Sequence, residues 1–268
     1  MISKKTTAIG TKSNLSTEKV FAIIEYLANQ QEPVKLRDIA HDLNMNPSTT
    51  LRFISSLENL GYVIQNSSTL KYALTMKICS IAHKVVLNNN IRELASPFLK
   101  SLSRIYGESS CIAIEHEMQV VYIDTQEGPD QMLTTMKRIG NVAPMHCTGV
   151  GKLLLLNYNN ADLTRYVAIK GLPKLTENTI TTLPALKEEL QKINKQGYAF
   201  DNEECEIGAR CIAVPIRDYT TRVVAAMSVM GPIFRMDDNK IFENLPYLLD
   251  ASVQLSKSLG YEEERQSL

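Results

Sequence analysis

The chain is constrained most by a short break, Asn44-Met45-Asn46-Pro47, set between two segments whose apolar residues recur at helical spacing. Before the break, Leu36, Ile39, Ala40 and Leu43 fall at i, i+3, i+4 and i+7 and form one apolar stripe. After it, Leu51, Ile54, Leu57 and Leu60 define a second stripe, the expected buried face of the next helix. Asn44 tolerates the left-handed backbone of a tight turn, and Asn46 is a strong N-cap. Pro47 suits the first helical position because it has no N–H to lose. An earlier helix is expected from Ser16 as its N-cap, with Glu18 in the first turn and Val20, Phe21, Ile23, Ile24 and Leu27 at helical spacing. Two short helices around a three-residue turn have the spacing of a helix-turn-helix, whose second helix enters a DNA major groove.

The outer face of that second helix should carry Ser48, Thr49, Arg52, Ser55 and Ser56, with Thr50 beside them. Short hydroxyls near a helix start suit phosphate and base-edge contacts, and Arg52 can reach guanine with two hydrogen bonds or clamp a phosphate. Arg37, in the preceding helix, joins the candidate contacts. After Gly61, two short strand-like runs, Tyr62-Val63-Ile64-Gln65 and Leu70-Lys71-Tyr72-Ala73-Leu74, flank the polar turn Asn66-Ser67-Ser68-Thr69. This is the pattern of a wing, with Lys71 available to a phosphate. Charge does not decide the matter. The chain carries 29 basic and 29 acidic residues, and residues 1–75 hold eight Lys/Arg against six acids. Three amphipathic helices and a hairpin also fit a protein-interaction module; the scarcity of acids on the outer face of the third helix favours nucleic acid.

A helical connector follows at Thr75 to Leu87, ending at Asn88-Asn89-Asn90, and a new helix begins near Ile91 and runs to Tyr106. Strand patterns then appear at Ser110–Glu115, Val120–Asp124 and Met132–Met136. Helical patterns follow at Gly149–Tyr158, Ala161–Ile169 and Leu183–Gln196, and strands at Tyr198–Phe200, Cys211–Ile216 and Val223–Val229. A last helix spans about Asp237 to Leu259. The expected fold class is α+β, with a winged helix-turn-helix over 13–75, a linker over 76–90 and a second domain over 91–262 built on a mostly antiparallel sheet.

No stretch reaches the roughly 18 apolar residues of a membrane helix, and the polar start, Met1 to Lys12, is not a signal peptide, so a cytoplasmic protein is expected. Five cysteines without a C-x-x-C pair argue against a disulfide framework or a zinc site, and the four histidines have no metal spacing. Neither a metal nor a cofactor is expected. The segment His146-Cys147-Thr148-Gly149-Val150-Gly151-Lys152 fails as a phosphate-binding loop, because His146 and Leu153 stand where a Gly and a Ser/Thr are required. Two readings of it stay open: a helix start whose amides bind a carboxylate, or tight packing of that helix start on the sheet. The acidic run Asp201-Asn202-Glu203-Glu204 reads as a solvated turn rather than paired catalytic carboxylates. His146 beside Cys147 makes a poor nucleophile pair, since adjacent side chains seldom point together, and no enzyme activity is expected.

Taken together, the helix-turn-helix, the segment His146–Lys152, and the stretch Gly197–Asp201 through Cys211–Ile216 into Val224–Pro232 resemble the IclR family of bacterial regulators, from about Ser13 to Leu259. The resemblance implies a GAF-like effector domain, a homodimer or homotetramer, binding to double-stranded operator DNA, and control of a catabolic operon, more often by repression. It also implies a small organic acid effector of the keto or sugar acid class. The matching pocket positions are the amides of Gly149 and Val150 and the side chains of Asp201, Cys211 and Ser228, groups suited to a carboxylate and to a carbonyl or hydroxyl. One position departs from the pattern. Met230 stands where small-acid binders offer a second hydroxyl, so a larger or less polar ligand is expected.

Overall fold

Asn14 rather than Ser16 starts the first helix in the computed structural model, which describes residues 14–88, 90–129 and 140–262. The Asn14 side chain accepts from the Ser16 amide at 3.1 Å, so Ser16 is the second residue of the first turn rather than the cap. The chain divides between residues 89 and 90 into two units. In the first, α1 (Leu15–Ala28), α2 (Leu36–Asp42) and α3 (Pro47–Asn59) pack with a three-stranded antiparallel sheet. Its order is β1 (Val34–Lys35), β3 (Lys71–Leu74), β2 (Val63–Gln65). The strand β1 was not expected; two residues carry no readable alternation. Helix α4 (Lys77–Asn88) follows, its first amide accepted by Thr75 Oγ1.

The turn between α2 and α3 is built as its residues dictate. Asn44 adopts φ 50°, Asn46 caps α3 by accepting from the Ser48 amide at 3.0 Å, and Pro47 occupies the first turn. The buried stripe of α3 differs from the expected one. Thr50, Phe53, Ile54 and Leu57 face the core, while Leu51 and Leu60 are 44% and 59% exposed. Around the helix the buried side chains run Phe53, Leu57, Thr50, Ile54, so the stripe is centred between Leu57 and Thr50; Leu51 lies beyond Ile54, and Leu60 is the C-cap at the helix end.

In the second unit a six-stranded sheet, all of whose described ladders are antiparallel, has the order β6-β5-β4-β9-β8-β7. The strands are β4 (Ser109–His116), β5 (Gln119–Gln126), β6 (Val142–Ala143), β7 (Ala199–Asn202), β8 (Ala209–Arg217) and β9 (Val223–Pro232). The strand expected at Met132–Met136 falls outside the described residues. Side chains alternate between two faces. Ile112, Ile212, Val214, Ile216, Met227 and Val229 pack under α5 (Ile91–Tyr106) and α9 (Asp238–Ser258). Cys111, Ala113, Cys211, Ala213, Ala226 and Met230 face α6 (Gly149–Leu154), α7 (Asn160–Lys170) and α8 (Leu183–Gln196). Burial on both faces explains why β8 and β9 read as nearly continuous apolar runs although their pairing is antiparallel.

Candidate DNA interface and ligand site

On α3 the exposed side chains follow i, i+3, i+4, i+7. Ser48, Leu51 and Arg52 are exposed, and Ser55 is half-buried beside them. Ser48 Oγ donates to Asn46 Oδ1 at 2.8 Å, and Ser56 Oγ is turned back onto the Arg52 carbonyl at 2.9 Å. The Arg52 guanidinium lies over the Phe53 ring, 5.3 Å from its centroid, while the residue stays exposed. Thr49 is half-buried, and Thr50 leaves the candidate set. Its side chain is fully buried, and its hydroxyl donates to the Asn46 carbonyl at 3.1 Å, which ties up the cap and cannot also reach DNA. Arg37 is 91% exposed on α2, 3.8 Å from Asp38.

The wing is ordered by its own turn. Asn66 Oδ1 accepts from the amides of Ser68 and Thr69 at 3.1 and 3.0 Å, and Leu70 adopts φ 56°. Lys71 opens β3 half-buried, opposite Lys35. Lys77 is not a free cation for DNA: its ammonium donates to the Leu60 carbonyl at 2.6 Å and lies 4.8 Å from the Tyr62 ring centre, where it closes the C-terminus of α3.

In the second unit the positions singled out by the resemblance gather on the sheet face under α6. Asp201 pairs with Cys211, Cys211 with Met230, and Ser228 with Cys111 across neighbouring strands. Ser228 Oγ and Cys111 Sγ are 3.1 Å apart, so Cys111, which sequence reasoning missed, belongs to the same polar strip. Gly149 brings the start of α6 against β7, where an added Cβ would lie 3.3 Å from the Ala199 carbonyl and 3.5 Å from the Asp201 amide. Thr148 caps the helix by accepting from Gly151 N at 3.2 Å and donates to the Pro144 carbonyl. The first amides of a helix have no intrahelical acceptor, and Gly149, the first residue of α6, lies against Asp201. The packing reading holds at both glycines: a Cβ on Gly149 would press on β7, and one on Gly151 would overlap the backbone of Met145.

The acidic run is not solvated as expected. Glu204 is 8% exposed and its Oε1 accepts from Lys152 Nζ at 2.5 Å; Lys152 is wholly buried and also lies 3.6 Å from Glu189 on α8. The backbone of this loop is held by hydroxyls: Thr176 donates to the Glu203 carbonyl and Thr179 to the Glu204 carbonyl, each at 2.6 Å. Asp201 Oδ1 in turn accepts from the amides of Glu204 and Cys205 at 2.9 and 3.2 Å. Burial pushes the Glu204 carboxyl up to about 7 against the opposing pull of Lys152, with Asp201 and Glu189 adding to the rise. His146 is buried against the Pro173 carbonyl and pushed toward its neutral form by desolvation. The Cys147 thiol is pushed up, first by its hydrogen bond with Cys205 and then by burial, the opposite of what activates a nucleophile. Among the described residues no group of three or more His, Cys, Asp or Glu is arranged to hold a metal.

Two family descriptions match this chain: the IclR helix-turn-helix domain over residues 16–67, and the bacterial transcriptional regulator IclR C-terminal region over residues 83–257. The chain belongs to the IclR family. Among its relatives, the HTH-type transcriptional regulator XynR of Escherichia coli (strain K12) is 33% identical over 92% of this chain and 97% of its own length. The HTH-type transcriptional repressor AllR of Salmonella typhi is 29% identical over 93% and 91%. The crystal structure of the Thermotoga maritima IclR superposes with a TM-score of 0.61 at 32% identity, over 92% of this chain and 99% of that one. As an IclR-family chain this protein is a DNA-binding transcriptional regulator rather than an enzyme, with α2 and α3 within its helix-turn-helix domain. No described helix is long and apolar enough to cross a membrane.

Proposed function

We propose that this regulator is a cytoplasmic repressor of a catabolic operon, working as a homodimer or homotetramer and released from double-stranded operator DNA by a small organic acid of the keto or sugar acid class. The observation that carries the reading is the convergence of Asp201, Cys211, Ser228 and Met230 on one sheet face beside the amides of Gly149 and Val150. Donors at a helix start suit the acid's carboxylate, and Asp201 and Ser228 suit its hydroxyl or carbonyl. Met230, 7% exposed on the same face, sets an apolar wall that favours a ligand larger than glyoxylate. The repressor assignment is supported by relatives of that description, AllR among them. The acid acts by binding unequally to DNA-competent and DNA-incompetent arrangements, and the connector, 76–90, transmits the difference.

On the DNA side, Arg52 reads a guanine or clamps a phosphate, Ser48, Thr49 and Ser55 contact the backbone or base edges, and Arg37 and Lys71 neutralise phosphates. Leu51, exposed between Ser48 and Arg52, is placed to meet a thymine methyl. Arg52→Ala should weaken operator binding by about ten- to hundredfold, the range of one lost bidentate contact, while changing folding stability by less than about 1 kcal/mol. Fluorescence anisotropy on a duplex across a salt series checks the affinity, because log affinity falls linearly with log salt in proportion to the phosphates neutralised, and urea unfolding checks the stability. An unchanged affinity removes Arg52 from the interface; binding insensitive to salt argues against the phosphate contacts altogether.

A further inference from the structure

The buried charges beside the proposed acid site do not balance. Lys152, wholly buried, is the cation between Glu204 at 2.5 Å and Glu189 at 3.6 Å, while Asp201 is tied to the Glu204 amide at 2.9 Å. From the other elements packed here, His146 is pushed toward its neutral form, which adds no positive charge, and the Cys147 thiol is pushed away from ionising. Glu204 has a side chain nine-tenths buried, and its Oε2 is buried with no hydrogen-bond partner. An acceptor in that position lacks a donor, and a proton placed on it would remove a charge from a crowded anionic cluster.

We infer that Glu204 is a proton-holding determinant of effector binding: when the anionic acid enters beside Asp201, one proton is taken from solvent onto Glu204 Oε2. The inference rests on the acid-effector reading above. A fourth carboxylate arriving near Lys152 raises the cost of an ionised Glu204, and a buried carboxyl relieves that cost by protonation. Asp201 is the poorer recipient, because two backbone amides donate to its Oδ1 and favour its carboxylate form. Glu189, 23% exposed and 4.0 Å from Lys192, keeps contact with solvent and a second cation. Glu204 already stands near the neutral range, at about 7, so the additional charge carries it across working pH.

The sign follows from linkage. Acid binding raises proton affinity at Glu204, so protons must in turn raise affinity for the acid. Affinity should therefore be highest below about pH 7 and fall by up to about tenfold per unit above it, until Glu204 ionises even in the complex. The test is calorimetry of the full-length protein with pyruvate, D-gluconate and phenylpyruvate at pH 8, in buffers of low and high ionisation enthalpy. An uptake above about half a proton per bound acid is expected, since Glu204 starts largely ionised there. Glu204→Gln should bind with no uptake and with the pH dependence flattened. Binding to wild type without proton uptake overturns the inference and leaves the effector reading intact, and so does undiminished uptake in Glu204→Gln. The wild-type arm stands alone if that variant does not fold. Absence of binding by every acid contradicts the effector reading and this inference with it.

Discussion

Replacing Lys152 with methionine should cost the C-terminal unit about 3–5 kcal/mol, the range for removing one partner of a buried ion pair. The ammonium is wholly buried, and its departure leaves the Glu204 carboxylate, 8% exposed, facing an apolar side chain with Glu189 and Asp201 still close. The loss should shrink as pH is lowered toward about 7 and level off there, because without the opposing pull of Lys152 the Glu204 carboxyl takes up its proton above that value. The double variant Lys152→Met with Glu204→Leu should recover much of the stability, as buried pairs replaced by apolar residues often do. Urea unfolding followed by circular dichroism separates the outcomes; a single variant within about 1 kcal/mol of wild type would mean that the pair is hydrated in solution.

Gly151→Ala is the second large effect. A Cβ there would overlap the backbone of Met145, and backbone cannot turn aside as the end of a flexible side chain can. Relief requires α6 to lift from the loop before it, and the Thr148 cap, which accepts from the Gly151 amide, goes with it. Such overpacking costs about 3 kcal/mol, the upper end of its usual range. Because α6 carries the amides of Gly149 and Val150, acid binding should fall along with thermal stability. Gly208→Ala provides a contrast: it has open space around its Cβ and only a φ of 84° to strain. Equal melting temperatures for Gly151→Ala and wild type would show that α6 is not seated as described.

Local chemistry explains which parts of this arrangement were legible in the sequence. The Asn44–Pro47 turn, the cap at Asn46 and the helix Leu183–Gln196 are written in residues adjacent to the structure they form. The expected stripe of α3 differs at Leu51, Leu60 and Thr50, because a row spaced by three residues drifts around a helix, carrying its two end leucines off the face that Phe53, Leu57, Thr50 and Ile54 share. Strands β1 and β6, two residues each, are too short to show alternation. The convergence of Asp201, Cys211, Ser228 and Met230 was reachable only through resemblance to a family. The Lys152–Glu204 pair was not legible at all: its partners are 52 positions apart, and an acidic run followed by Gly208 reads locally as a solvated turn.

The central claim is that one chain reads DNA with α3 and is governed by an acid held under α6. Operator affinity of the full-length protein, measured by anisotropy with and without a saturating acid identified by thermal shift, tests it most directly. Coupling of about 1–3 kcal/mol predicts that the acid weakens DNA binding by about five- to 150-fold, and that Asp201→Asn abolishes the response while still binding DNA. An operator affinity that stays the same at saturating acid would contradict the account.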